Sequence, residues 1–443
     1  MTTPMRQQYL RIKKQFPGTI VFFRLGDFYE TFDDDARTVA QVCDIVLTSR
    51  PAGKNQRVPL AGVPYHSVET YIARLLQAGH KVAIVEQVGE ITNRELVDRE
   101  VVRVVTPGTV VEPALLDERR NNYLAALAVE GNRAGLAHAD ITTGEFAVTQ
   151  LDGEDLGRLL AAELDRLRPA ELVVADQKAA NGWEQLPGSP LSALALTEYD
   201  AWRFDLETAR RALLEHFQVG SLEGFGLAGL PLATRAAGAL VQYLAGTQQA
   251  RLAQLSNLHT YSTEQFMLLD PATRRNLELT QTLRAGAVKG SLLGVLDATV
   301  TSMGGRLLRQ WLNQPLLDLA RLNERLDAVE LLLRDTPLRT RLRLLLKGMA
   351  DLERLASRAV QGIARPRDLI GIRHSLETAP KVQELVGQAD AGGAKGAERG
   401  QLFTSVAGLD PCQDVVALIS QAVADEPPAT LAGGGAIRAG FSA

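Results

Sequence analysis

Apolar and polar residues follow two different rhythms along this 443-residue chain, and the change falls near its middle. Before residue 227, short apolar runs of strand length alternate with helical stretches and with turns carrying Gly, Asn or Asp. A first helix is predicted over residues 2–13, with Pro4 at its start, where the missing N–H has no partner to lose. Strands follow over 19–23, 81–86 and 101–106, the last ended by Pro107 and Gly108. Helical spacing covers 33–40 and 67–76, and Gly79 supplies a stop for the second of these. Residues 50–57, with Arg50, Lys54 and Arg57, read as a mobile basic loop. A second set of strands is predicted over 123–129, 133–140 and 144–150, followed by a helix over 156–167 and a strand over 171–176. From Leu227 onward strand signals nearly vanish. Residues 233–255 are rich in Ala and Leu and read as helical, and Pro271 sits near another helix start. Leu319, Leu322, Leu326, Val329 and Leu332 form one apolar stripe, read as helix-on-helix core. Residues 338–355 repeat that pattern as a further helix, and the Gly/Ala-rich run 388–400 reads as a flexible loop.

Composition leaves this picture standing and narrows the chemistry. Apolar residues make up 46% and charged residues 23%, ordinary for a globular chain long enough for about three domains. The net charge is −4, and residues 1–115 carry 14 Lys+Arg against 13 Asp+Glu, so bulk attraction to nucleic acid is excluded. Any such binding must use a local basic face and deformation of the duplex. Cys43 and Cys412 sit in no metal-ligand spacing and imply a reducing compartment. No apolar run approaches 18 residues, so no membrane span is expected, and a cytoplasmic location is the simplest expectation.

The candidate chemistry lies between the first strand and the aspartate-capped helix, in Arg24-Leu25-Gly26-Asp27-Phe28-Tyr29-Glu30-Thr31-Phe32. A strand, a turn and a helix in succession present their junction at a surface. An aromatic beside a carboxylate there can wedge into a weakened base stack and read an unpaired base edge. Taken alone, a Phe next to an apolar strand is a core residue. Two further stretches change that reading: Pro59-Leu60-Ala61-Gly62-Val63-Pro64-Tyr65-His66 and Val104-Val105-Thr106-Pro107-Gly108-Thr109. With these three in order, the first 110 residues resemble the mismatch-reading domain of the MutS family of DNA mismatch-repair proteins. The resemblance implies that Phe28 inserts beside a mispaired base from the minor groove and that Glu30 hydrogen-bonds the same base. Residues 137–146 resemble the family's connector domain, which has a ribonuclease-H-like fold, and 268–316 resemble its helical core or lever domain.

The fold expected is therefore multidomain α/β plus α. It comprises an α/β mismatch-binding domain over 1–115, a ribonuclease-H-like α/β connector over 116–245 and part of an all-α core/lever domain over 246–443. DNA-backbone contacts are expected from Lys13, Lys14, Arg50, Lys54 and Arg57, which would fix register. The partners implied are duplex DNA with mismatches or small loops, a second copy of the full-length protein, and a MutL-type repair protein docking on the connector. ATP and Mg²⁺ serve the ATPase domain of full-length family members. Ala287-Val288-Lys289-Gly290-Ser291 fails the G-x-x-x-x-G-K-[ST] test because Lys289 precedes its Gly, and no other stretch fits. The chain is thus expected to be the N-terminal half of such a protein, with no catalytic residue, cofactor or metal of its own. Two rivals remain: a Mg²⁺-dependent nuclease using Asp140 and Asp176 at strand ends, and a scaffold that docks partners without reading mismatches.

Overall fold

In the computed structural model the described residues are 3–53, 56–88, 97–176, 194–248, 252–391, 405–429, 431 and 434–441. Helix α1 (Pro4–Gln15) begins at its proline and buries Tyr9 and Ile12. It lies on a sheet built from β1 (Thr19–Leu25), β2 (Phe28–Phe32), β3 (Thr48–Gly53), β4 (Gln56–Pro64), β5 (Lys81–Val88) and β6 (Asp98–Val105). The order is β3-β4-β2-β1-β5-β6, with β1 and β5 parallel and the other neighbours antiparallel. Successive strand residues point to opposite faces. Phe23 and Phe32 accordingly pack with Tyr9 and Ile12 on one side. Phe22 and Tyr29 pack on the other with α2 (Asp33–Cys43) and α3 (Val68–Gln77), through Val39, Ile72 and Leu75. Three aspartates open α2, where the helix dipole favours negative charge.

Two expectations are corrected in this unit. The predicted mobile loop at 50–57 is largely a β-hairpin, with Arg50 opposite Val58 across β3 and β4. The alternation that marks a strand is masked there by Pro51 and Gly53. Residues 28–32 are themselves a strand, so the aromatic stretch is the second arm of a hairpin and not a turn running straight into a helix.

The second unit is another six-stranded sheet, β7 (Leu124–Glu130), β8 (Arg133–Asp140), β9 (Glu145–Asp152), β10 (Glu171–Val174), β11 (Ala195–Glu198) and β12 (His259–Thr260). Its order is β11-β10-β7-β8-β9-β12. β7, β8 and β9 form an antiparallel meander, while β10 and β11 continue parallel to β7. Helix α4 (Leu156–Leu167) covers one face through Leu156, Leu160 and Leu164. Helix α5 (Leu206–Phe217) packs on α6 (Pro231–Gln248), and α6 lies on the other face of the sheet. Glycines permit this closeness: a Cβ on Gly135 would sit 2.1 Å from the Leu232 backbone, and one on Gly238 would sit 2.4 Å from Ala209. Leu252, Leu255 and Leu258 complete the same core.

The rest is helical: α7 (Pro271–Asn276), α8 (Leu292–Leu296), α9 (Ser302–Asn313), α10 (Leu319–Arg334), α11 (Thr336–Lys347), α12 (Leu352–Val360), α13 (Pro366–Ala391) and α14 (Gln413–Ala422). Asp270, Ser291, Thr301, Asp318, Asp335 and Asp351 each accept a backbone amide at a helix start, which fixes where these helices begin. Here too the sequence reading needs correction. The single helix expected over 338–355 breaks after Lys347 at Gly348, and Asp351 caps a new one. The stripe on α10 is not core: no residue of that helix is buried, and Leu319, Leu326 and Val329 are exposed. Helical period was legible there, but a period does not supply a partner. Of the Gly/Ala-rich run 388–400, the first four residues belong to α13, and 392–400 lie outside the described residues.

The first two units are stapled by a buried carboxylate. Glu171, at the start of β10, is fully buried and accepts from the Thr106 hydroxyl, the Gly108 amide (3.1 Å), Thr197 Oγ1 (2.5 Å) and Tyr243 Oη (2.7 Å). Lys81 Nζ lies 3.3 Å from it. Thr106 and Gly108 belong to the Thr-Pro-Gly-Thr stretch, and a Cβ on Gly108 would meet Leu124 at 2.6 Å. The segment leaving the first sheet is thus pressed onto the second unit. Lys81 and Thr19 stand opposite each other at the start of β5 and β1. The staple and the β1–β2 hairpin loop therefore occupy opposite ends of the first sheet.

Candidate nucleic-acid interface

The hairpin of β1 and β2 turns through only Gly26 and Asp27, because Leu25 and Phe28 are direct partners. Gly26 has φ +58°, which the first position of such a short loop demands and glycine adopts without strain. Phe28 and Glu30 then share one face of β2. Phe28 is 47% exposed, although the strand it opens is otherwise half-buried or buried. Glu30 stands beside it, opposite Gly62 of β4, where the missing side chain leaves both Phe28 and Glu30 unobstructed. Glu30 Oε2 accepts from Arg50 Nη1 at 2.8 Å, so the carboxylate is held by a cation reaching across β4 from β3.

The opposite face explains why the hairpin is rigid. Tyr29 is buried, stacks on Phe22 at 6.1 Å and donates its hydroxyl to Glu86 of β5. Burial, with the Glu86 carboxylate added, pushes the Tyr29 phenol up to about 12. It stays a neutral donor at any physiological pH. The Arg24 guanidinium lies 5.4 Å from the Tyr29 ring centre and 3.9 Å from that of Tyr65, a cation–π bracket over the hairpin end. Tyr65 N donates to Asp27 O at 3.0 Å and ties the end of β4 to the loop. The Pro59–His66 stretch is therefore the strand next to Phe28 and Glu30.

The other expected cations divide. Arg57 is exposed and donates to Ser49 Oγ and Ser49 O at 2.9 and 2.8 Å. Lys54 lies outside the described residues. Lys13 is not brought to the hairpin: its ammonium donates to Thr19 O and Asp35 Oδ1, both at 2.7 Å, and holds α1 to the sheet and α2. Lys14 is exposed on the last turn of α1. Both are near the start of β1, about 20 Å along a seven-residue strand from Phe28.

The carboxylate pair expected of a nuclease does not assemble. Asp140 is fully buried and its oxygens are used: Oδ1 accepts from Thr142 N (2.9 Å) and Oγ1 (2.6 Å), Oδ2 from Asn121 Nδ2 (3.0 Å) and Asn122 N (3.1 Å). Burial raises its pKa, and these donors pull in the other direction. Asp140 ends β8 next to the start of β7, whereas Asp176 follows β10 next to the end of β7. The two stand at opposite ends of β7, about 20 Å apart along the strand at ~3.3 Å per residue. Among the described residues no three His, Cys, Asp or Glu side chains cluster as metal ligands. Cys43 and Cys412 are both free, and no described helix is long and apolar enough to cross a membrane.

Family models match the chain in three consecutive pieces: MutS domain I over residues 3–114, MutS domain II over 122–258 and MutS domain III over 272–439. The chain belongs to the MutS family. The DNA mismatch repair protein MutS of Symbiobacterium thermophilum is 48% identical over 443 residues, 99% of this chain and 49% of the relative. That of Dehalococcoides mccartyi strain 195 is 44% identical over 444 residues, again 99% and 49%. The MutS of Thermosynechococcus vestitus is 44% identical over 451 residues, 99% of this chain and 50% of the relative. The chain spans about half the length of these MutS relatives. The domain I match contains the whole hairpin, the Glu30–Arg50 pair and the Thr106–Thr109 stretch. Sequence reasoning located Phe28 and Glu30 in this MutS domain but missed their setting: Arg50 as the partner of Glu30, and the Arg24–Tyr65 bracket. Strand register was the signal needed, because Pro59–His66 is β4 only once the 50–57 segment is read as a hairpin arm.

Proposed function

We propose that the chain reads mispaired or unpaired bases in duplex DNA as part of mismatch repair. Phe28 enters the base stack from the minor groove, and Glu30 hydrogen-bonds the edge of the disturbed base. The observation that carries this reading is Phe28 itself: an aromatic side chain left 47% exposed beside a carboxylate, on a hairpin braced from behind. Unstacking a step costs a few kcal/mol, and less where the pair is already mismatched. That difference is the discrimination, since a matched site must bear the full cost. Glu30 sharpens it, because a carboxylate near phosphates is repelled by any duplex that does not offer it a donor. Arg50 neutralises Glu30 in the free protein, and the exposed Arg57 and Lys14 offer phosphate contacts, with Lys54 keeping the same expected role.

The three units take the roles of reading domain (1–115), connector (116–245) and core/lever (246–443). A ribonuclease-H-like connector is supported by the meander β7–β8–β9 extended by parallel β10 and β11. Docking of a MutL-type protein falls to that unit. Pairing with a second copy and the ATP- and Mg²⁺-dependent steps belong to the full-length proteins, and these 443 residues alone release no phosphate from ATP. The test is Glu30→Gln, which removes the charge and keeps the shape. Homoduplex binding should tighten, and the mismatch-to-homoduplex ratio should fall about fivefold, the equivalent of ~1 kcal/mol. An unchanged homoduplex affinity would remove Glu30 from the reading.

A further inference from the structure

A cationic cavity lies far from the hairpin, between the second unit and the helices. Arg120, Arg166 and Arg168 line it from the second unit, and Arg306 and Arg309 from α9. Three of these five guanidiniums have a carboxylate partner. Arg166 pairs with Glu163, and Arg306 is gripped by Asp351 and Glu353. Arg120 and Arg309 have none among the described residues. Among the described residues Arg120 makes a single 3.4 Å hydrogen bond, to the Arg168 carbonyl, and no ion pair. Arg309 Nε is buried with no hydrogen-bond partner. Arg168 donates to Gln281 at 2.7 Å and pairs with Asp165 at 3.7 Å. The carboxylates that face Arg120 and Arg309 are Asp117 and Asp297, and neither bonds to them; Asp297 is taken by Arg119. Burial, then mutual repulsion with Arg309 and Arg168, lowers the Arg120 pKa; burial, opposed by Asp117, lowers that of Arg309. Two converging guanidiniums without a paired carboxylate, with the cationic Arg168 beside them, are a costly arrangement without an anion between them.

We propose that this cavity is a phosphate-group site and that filling it clamps the second unit to the helical one. Its volume of about 40 Å³ holds roughly three waters at ~10–15 Å³ each, the room one tetrahedral oxyanion needs. Guanidinium forks match phosphate oxygens in pairs, and the amides of Gln310 and Asn313 add neutral donors at the wall. Arg168, Thr280 and Asn313 also line a second cavity of about 240 Å³. The phosphate arrives free or at the end of a nucleotide whose remainder occupies that neighbouring space. The site is independent of the mismatch reading, since none of its residues belongs to the first unit.

The experiment is isothermal titration of the full chain with inorganic phosphate, with ATP in the absence of Mg²⁺, and with sodium chloride, all at one ionic strength. Thermal unfolding is followed in parallel. Phosphate should bind saturably at one site and raise the unfolding temperature, and Arg309→Gln and Arg120→Gln should each weaken it tenfold or more. Arg309→Lys keeps the charge without the fork and should fall between, which guards against a variant that merely misfolds. Arg341→Gln, on the exposed side of α11, should change nothing. ATP binding at least tenfold tighter than phosphate identifies a nucleotide as the source, whereas equal affinity identifies the free oxyanion. Chloride acting as well as phosphate, or phosphate binding that survives both glutamine variants, overturns the proposal.

Discussion

Replacing Glu171 by Gln tests whether the first two units are held together by the buried carboxylate. The substitution keeps the volume, so no cavity term enters. Glu171 Oε2 accepts from the Thr106 hydroxyl and the Gly108 amide, and Oε1 from Thr197 and Tyr243 with Lys81 beside it. An amide NH₂ facing Oε2's partners opposes the Gly108 N–H, which cannot turn round. Flipped, it opposes the Lys81 ammonium, which cannot accept. The hydroxyls can rotate, so one buried donor is lost in either orientation, at about 1–3 kcal/mol. Loss of the ion pair adds the smaller part, ~0.5–1 kcal/mol, because the Lys81 side chain remains 30% exposed to solvent. The total is about 2–4 kcal/mol. With a urea dependence of about 1–3 kcal/mol per molar, the unfolding midpoint of the paired units should fall by ~1 M in far-UV circular dichroism. A midpoint within ~0.2 M of the parent would refute the staple.

Two further outcomes follow from the second unit. Burial alone would raise the Glu145 pKa, but the Tyr123 hydroxyl at 2.9 Å and His138 at 3.7 Å carry it below the usual carboxylate value. A depressed folded-state pKa stabilises above the unfolded value of about 4.3 and loses that contribution as pH falls through the folded value. Melting temperature should therefore drop below about pH 4, and Glu145→Gln should flatten that acid limb; a variant with the same limb would acquit Glu145. Gly238→Ala places a methyl 2.4 Å from the Ala209 Cα, between two helices with no room to part. It should destabilise by about 1–3 kcal/mol, read as a lower thermal midpoint, and an unchanged midpoint would mean that α5 and α6 slide freely.

What the sequence made legible was what is local. Phe28, Glu30, the Pro59–His66 stretch and the helix starts are short patterns, and the structure keeps each of them as a recognisable piece. What it hid depends on strands finding partners. Arg50 reaches Glu30 only because β3 and β4 pair, and the prolines and glycine of that segment imitate a loop. Lys13 looked like a surface charge beside Lys14, yet its place on α1 sends it to Asp35 across a fold that sequence order does not reveal. Glu171 opens the strand predicted over 171–176, and nothing in that pattern marks it as the point where donors from distant segments converge. The α10 stripe shows the same limit in reverse: its period was plain, while the surface that would cover it is not among the described residues.

The most direct test of the central claim is the affinity of the chain and of its Phe28→Ala variant for a duplex with one unpaired T, beside the matched homoduplex. Fluorescence anisotropy at one fixed salt concentration is the readout. Base–aromatic stacking is worth about 1–3 kcal/mol, so the variant should lose roughly tenfold on the unpaired-T duplex and little on the homoduplex. Equal losses on both duplexes, or none on either, would contradict the account and return Phe28 to an ordinary surface aromatic.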